Sequence, residues 1–176
     1  MKSFPAAALA ALCLAIAAPA AARLAPTETR MLATIKSEEA RTVALLEKLV
    51  NQNSGSLNLA GVEAVGRMMR AELEPLGFAV EWVDMKATGR AGHLVARRKG
   101  PSTGARGTMM LLIGHLDTVF EPDSPFQTWK REGNWGAGPG AADDKGGMVV
   151  MIAALRAMQQ AGTLAQADIE IVLTGD

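Results

Sequence analysis

Apolar and polar positions along this chain fall into a few regular stretches. Over 27–50, Leu32, Ile35, Val43, Leu46, Leu49 and Val50 recur at helical spacing, with Glu38, Glu39, Arg41, Glu47 and Lys48 between them. That stripe predicts one amphipathic helix. "NQNSGSLN" interrupts it with turn-favouring residues. Asn58 is placed to cap a second helix over 59–76, with Val62, Val65, Met69 and Leu73 facing inward and Pro75 and Gly77 ending it. "FAVEWVD" alternates as a half-buried strand, "HLVARRK" reads as a second, and "GPSTGARG" is a turn-rich connection. "TMMLLIG" is a continuous apolar run of strand length, which predicts a strand buried on both faces.

Residues 121–140 are rich in Pro, Gly, Trp and polar side chains and read as irregular. "GGMVVMIAALRAMQQAG" then reads as a helix and "ADIEIVLTG" as a strand. Strand 108–114, helix 146–161 and strand 168–174 make a β-loop-α-β unit, hence a parallel pair with a right-handed crossover and an α/β fold. Sites in such sheets form at the carboxyl ends of the strands. His115 falls at one of these ends and Asp176 at the other.

The first residues stand apart. Lys2 precedes an apolar run over 6–18, and "APAAA" follows, with Ala20 and Ala22 in an A-x-A pattern. This predicts a secretory signal peptide over 1–22, a mature part over 23–176 and a periplasmic or secreted protein. A retained amphipathic anchor is the alternative. The run is shorter than the roughly 20 residues of a membrane span, so no membrane association is expected after cleavage. Cys13 lies inside the segment, and the mature part has no cysteine for a disulfide or a metal. With 18 acidic and 18 basic residues, nothing in the charge points to nucleic acid.

His115 and Asp117 are the first candidates for chemistry. A histidine can offer one ring nitrogen to a metal while a carboxylate holds the proton on the other. H-x-D is short, and a histidine bonded to a neighbouring carbonyl is the plain alternative. In "GPGAADDKGG", Asp143 can bridge two ions with Asp144 beside it, as in two-metal hydrolytic sites. The plain alternative there is an acidic helix cap.

"GHLDTV", then "GPGAADDKGG", then a strand ending "VLTGD" resemble the di-zinc exopeptidase family of glutamate carboxypeptidase, succinyl-diaminopimelate desuccinylase and aminoacylase. "ADDKGG" and "GAGPG" look most like the glutamate carboxypeptidase branch. The resemblance implies an N-terminal part of a zinc-exopeptidase catalytic domain, with a mixed, largely parallel sheet between helices. It implies two Zn2+ ions in the complete enzyme, with His115 as a ligand of one, Asp143 bridging both, and Asp117 in the catalytic role of orienting His115. A cis Asp143–Asp144 bond is also implied.

In the family, two glutamates follow the strand matching "IEIVLTGD", a general base and a ligand. Another acidic ligand, a second ligand histidine and a dimerisation and lid domain come later still. The expectation is therefore an incomplete hydrolase, inactive alone, whose complete form is a homodimer acting on small peptides or N-acyl amino acids. A carboxypeptidase removing a C-terminal residue such as glutamate, an N-acyl amino acid amidohydrolase of the same fold, and a metal-free remnant all stay open.

Other features have plainer readings. Trp129 and Trp135 are read as packing residues, the Met68–Met69 and Met109–Met110 pairs as core, and Arg97, Arg98 and Lys99 as a solvated strand end. His93 is read as structural, and Lys145 as neutralising the charge of the aspartates before it.

Overall fold

The computed structural model describes residues 23–100 and 109–175. The segment expected to be a signal peptide, nearly all of the "GPSTGARG" connection, Thr108 and Asp176 lie outside these residues. The helices are α1 (Pro26–Ser37), α2 (Glu39–Val50), α3 (Leu59–Leu73) and α4 (Lys145–Ala161). The strands are β1 (Ala79–Asp84), β2 (Gly92–Arg98), β3 (Met110–His115), β4 (Lys130–Glu132), β5 (Trp135–Ala137) and β6 (Ile169–Thr174).

Two helices therefore stand where the periodicity predicts one. The break is Glu38, whose φ of −98° and ψ of 6° leave the helical region. α2 buries Leu45, Leu49 and Val50, whereas α1 buries nothing and leaves Leu32 and Ile35 exposed. The Asn58 cap forms as expected, its side chain accepting from Gly61 N at 3.1 Å. α3 ends at Leu73 rather than Leu76, because Pro75 turns the chain into a single 3-10 turn. Gly77 then reverses the chain at φ 83°, a left-handed conformation that suits glycine.

β1, β2, β6 and β3 form one mixed sheet in that order. β1–β2 and β2–β6 are antiparallel, and β3–β6 is the parallel pair that the β-loop-α-β pattern predicts. Leu94, Ala96, Ile169, Ile171 and Leu173 line one face and are buried together with Val62, Val65 and Met69 of α3 and Met148, Ile152 and Leu155 of α4. Burying each such large side chain stabilises the fold by about 1.5–3 kcal/mol, more than the roughly 1 kcal/mol of a typical hydrogen bond. Apolar burial on this one face is what fixes the sheet against α3 and α4.

The other face differs from expectation. β3 is an edge strand, not one buried on both sides: Leu111 and Ile113 point away from the helices, and Ile113 is 71% exposed. Met109 and Met110 are exposed too, so that pair is not core, while Met69 is fully buried. The segment expected to be irregular contains the β4–β5 hairpin. Trp129 lies against Gly136 of that hairpin, as expected of a packing residue, but Trp135 is 83% exposed. Three-residue strands are too short to show a period.

α4 buries two charged side chains, Lys145 at its start and Arg156 near its end. Arg156 pairs with Glu72 of α3 through Nη2 and lies 3.7 Å from Glu38 at the α1–α2 break, and Arg41 lies 3.9 Å from Glu72. Arg156→Met would leave both carboxylates without their inner partner. Urea unfolding is expected to show a loss of about 2 kcal/mol, within the range for orphaning a buried polar group. An unchanged midpoint would mean that desolvation of the cluster cancels its attraction.

Candidate metal centre

Pairing with β6 fixes where β3 ends. His115 sits opposite Thr174, and Leu116 N donates to Thr174 O at 2.6 Å. Beyond this point Asp117 is drawn inward, to 9% exposure. His115 Nδ1 lies 3.1 Å from the Asp117 carbonyl oxygen and 3.3 Å from Asp117 Oδ1. The ring thus meets both partners considered for it in H-x-D, a neighbouring carbonyl and the carboxylate.

Nδ1 faces two acceptors, so it holds the proton in the neutral ring. Nε2 then offers a lone pair, and the atom facing it at 3.0 Å is Asp143 Oδ1. Two lone pairs that close require a cation between them, a proton or a metal ion. Burial lowers the His115 pKa, but the hydrogen bond to Asp143 and the charge of Asp117 outweigh it, and the net shift is upward. Zinc binds nitrogen and carboxylate oxygen at about 2.0–2.2 Å, so two tetrahedral donors stand about 3.3–3.5 Å apart. The His115–Asp143 spacing is within a few tenths of an ångström of that, so these two groups fit one ion.

The Asp143–Asp144 bond is cis, as the resemblance implies. Asp143 projects into solvent, its side chain 90% exposed. Asp144 stands at the N-terminus of α4 but makes no side-chain cap bond. Its Oδ2 instead faces the backbone N–H of His115 at 3.3 Å. A plain acidic cap therefore does not describe the pair. A Cβ on Gly114 would collide with Asp144 Oδ2, and one on Gly147 with Oδ1, so the two glycines make room for this carboxylate.

Lys145 corrects an expectation. Its side chain does not neutralise the aspartates: it runs inward, is fully buried, and donates from Nζ to Gln52 O at 2.8 Å. Among the described residues no carboxylate pairs with it, and burial pushes its pKa down to about 8. His93 has the structural role expected, its Nδ1 accepting from Gly175 N at 3.3 Å. Arg97 is exposed near the strand end, as expected, and there bridges Glu81 and Glu170 on the neighbouring strands.

Among the described residues, no three His, Cys, Asp or Glu side chains are disposed to share one ion. The geometry explains this, since Asp117 lies on the Nδ1 side of the imidazole and Asp144 is turned to the backbone. A cavity of about 400 Å3 has His115 and Asp143 in its wall, with Val119, Phe120 and Phe126 among its apolar lining. The two phenyl rings meet edge to face, with centroids 5.0 Å apart. Sequence reasoning missed Ser56, whose hydroxyl donates to Asp117 Oδ2. Its partner is remote in sequence, and "SGS" signals only a turn.

Residues 111–176 match the model of Peptidase family M20/M25/M40, and this stretch runs from β3 past the two aspartates to the end of β6. The chain belongs to that peptidase family. It is 32% identical to carboxypeptidase G2 of Pseudomonas sp. (strain RS-16) over 143 residues, covering 79% of this chain and 33% of that protein. It is 37% identical to succinyl-diaminopimelate desuccinylase of Novosphingobium aromaticivorans over 141 residues, covering 76% of this chain and 34% of that protein. Human carnosine dipeptidase 1 shares the fold, with a TM-score of 0.67 at 24% identity over 88% of this chain and 35% of that one. So does the dipeptidase Dug1p of Saccharomyces cerevisiae, with a TM-score of 0.67 at 17% identity over 84% of this chain and 34% of that one. This M20/M25/M40 chain thus spans about a third of the length of the relatives it matches.

Proposed function

We propose that this chain is the part of a zinc-dependent exopeptidase of carboxypeptidase type that carries His115 and Asp143. The reaction is hydrolysis of a C-terminal residue, glutamate first among those to try, from a peptide or N-acyl substrate. The observation that carries the reading is His115 Nε2 facing Asp143 Oδ1 at 3.0 Å beside an open cavity. Zinc, when bound, polarises the scissile carbonyl and activates water.

The chain's own residues set up that chemistry. His115 and Asp143 would hold the ion, and Asp117 keeps the proton on Nδ1 so that Nε2 keeps its lone pair. Asp143 is exposed enough for its second oxygen to reach another ion, as a bridging role requires. Each zinc needs three or four ligands. The natural protein supplies the remaining ligands, the general base and the lid and dimerisation domain from further sequence; the relatives, about three times as long, support this. The first 22 residues support export to the periplasm or medium, which fractionation of the producing cells tests.

The desuccinylase among the relatives favours a second reading on the same site, an amidohydrolase of N-acyl amino acids. One experiment separates the two. The natural protein is stripped of metal with a chelator, reloaded with zinc, and assayed on acyl-glutamates, C-terminal dipeptides and N-succinyl amino acids. Zinc-restored release of glutamate is expected, and preferred cleavage of the succinyl substrates would transfer the assignment to the second reading. Absent or chelator-insensitive hydrolysis would sink both. The 176-residue chain alone is expected to be inactive in the same assay.

A further inference from the structure

We propose that Ser56 is a positioning residue of the metal centre, holding Asp117 so that Asp117 can hold His115. The inference rests on the proposed metal-binding role of His115.

The loop before α3 is fastened to the segment after β3. Thr118 N donates to Ser54 O at 2.8 Å, Ser56 N donates to Thr118 O at 3.1 Å, and Leu57 N donates to Glu121 Oε1 at 3.0 Å. A Cβ on Gly55 would lie 2.7 Å from Glu121 Cα, so the two backbones are in close approach and glycine is needed there. This fastening delivers the Ser56 hydroxyl to Asp117 Oδ2. The other oxygen, Oδ1, lies 3.3 Å from His115 Nδ1.

Each oxygen of a nearly buried carboxylate therefore has its own partner. Two fixed points stop the carboxylate from rotating about its terminal torsion, which is otherwise broad. The proton then stays on Nδ1, and Nε2 keeps the lone pair that a metal needs. Without the hydroxyl, Oδ2 would be an unsatisfied buried acceptor, free to turn away from the ring.

The test compares Ser56→Thr with Ser56→Val in the natural protein, because these side chains have nearly the same shape and only one carries a hydroxyl. Ser56→Ala serves as a third variant. In the metal-free, 15N-labelled protein, the His115 Nδ1 proton is followed by its exchange with water. Zinc affinity is then measured by competition with a chelator. Ser56→Val and Ser56→Ala are expected to speed proton exchange at least about tenfold and weaken zinc binding about 10–100-fold, the usual effect of losing a group behind a metal ligand. Ser56→Thr is expected to stay close to wild type in both.

Equal behaviour of the Thr and Val variants would overturn the proposal, because the hydroxyl would then have no part in it. So would wild-type exchange in both Ser56→Val and Ser56→Ala. A wild-type protein that binds no zinc would remove the proposed function, yet proton exchange would still decide the role of Ser56.

Discussion

His115→Ala in the natural protein is expected to lose zinc affinity and kcat/KM together, each by at least about a hundredfold. The size follows from comparison with groups that merely support a ligand, whose loss costs about 10–100-fold. A direct donor must cost at least the upper end of that range. Asp143→Ala is expected to match it, because Asp143 Oδ1 is the atom opposite Nε2. Asp117→Asn should cost less, about 10–100-fold, since it leaves both donors present and disturbs only the proton on Nδ1. Metal content by chelator competition and steady-state kinetics on the same preparations check the order. A His115→Ala protein that keeps wild-type zinc affinity would remove the histidine from the centre. The fold should survive, because the ring is partly exposed and lies at a strand end rather than in the apolar core.

Lys145 carries the second large effect, on stability rather than catalysis. Its pKa is about 8 in the fold, against 10.5 when unperturbed, and the cause is burial. Below pH 8 both states hold the proton, and the full cost of burying the charge is present. Between pH 8 and 10.5 the unfolded chain binds more protons than the folded one, so this group makes stability rise with pH. Above 10.5 both states are neutral and the cost is gone. Each pKa unit is worth 1.36 kcal/mol, so the recovery across the window is about 3 kcal/mol. Lys145→Met, which has nothing to titrate, should be the more stable protein at pH 7, and its advantage should shrink through the same window. Urea midpoints of both proteins from pH 7 to 10.5 read this directly. Parallel curves would show that Lys145 has no depressed pKa.

Elements with a strong period were legible from the chain alone. The α3 stripe of Val62, Val65, Met69 and Leu73 is fully buried, and both flanking strands lie close to where alternation puts them. The meeting of His115 and Asp143 in the candidate site was legible to the same depth, because a histidine after an apolar strand and an aspartate before a helix are both local signals. What failed to show depends on partners remote in sequence. Glu38 breaks the first helix beside Arg156 of α4. β3 reads as doubly buried because its residues are apolar, but coverage is decided by the elements that pack on each face. Lys145 follows two carboxylates in sequence, yet the start of α4 sends its side chain under them towards Gln52. Ser56 was invisible for the same reason: a hydroxyl in a turn does not announce the carboxylate it will meet.

The parallel register of β3 and β6 also sets a timetable for synthesis. The backbone partner that positions His115 is Thr174, and all of α4 lies between the two. A ribosome completes the histidine, both aspartates and the helix before it makes the strand that holds β3 in line. Through that interval His115 is present on the nascent chain without its β6 support. Long-range pairing of this kind is a late event in folding, since loop closure must precede it. Under the proposed function, stable metal loading would therefore follow emergence of β6 and not guide the earlier chain.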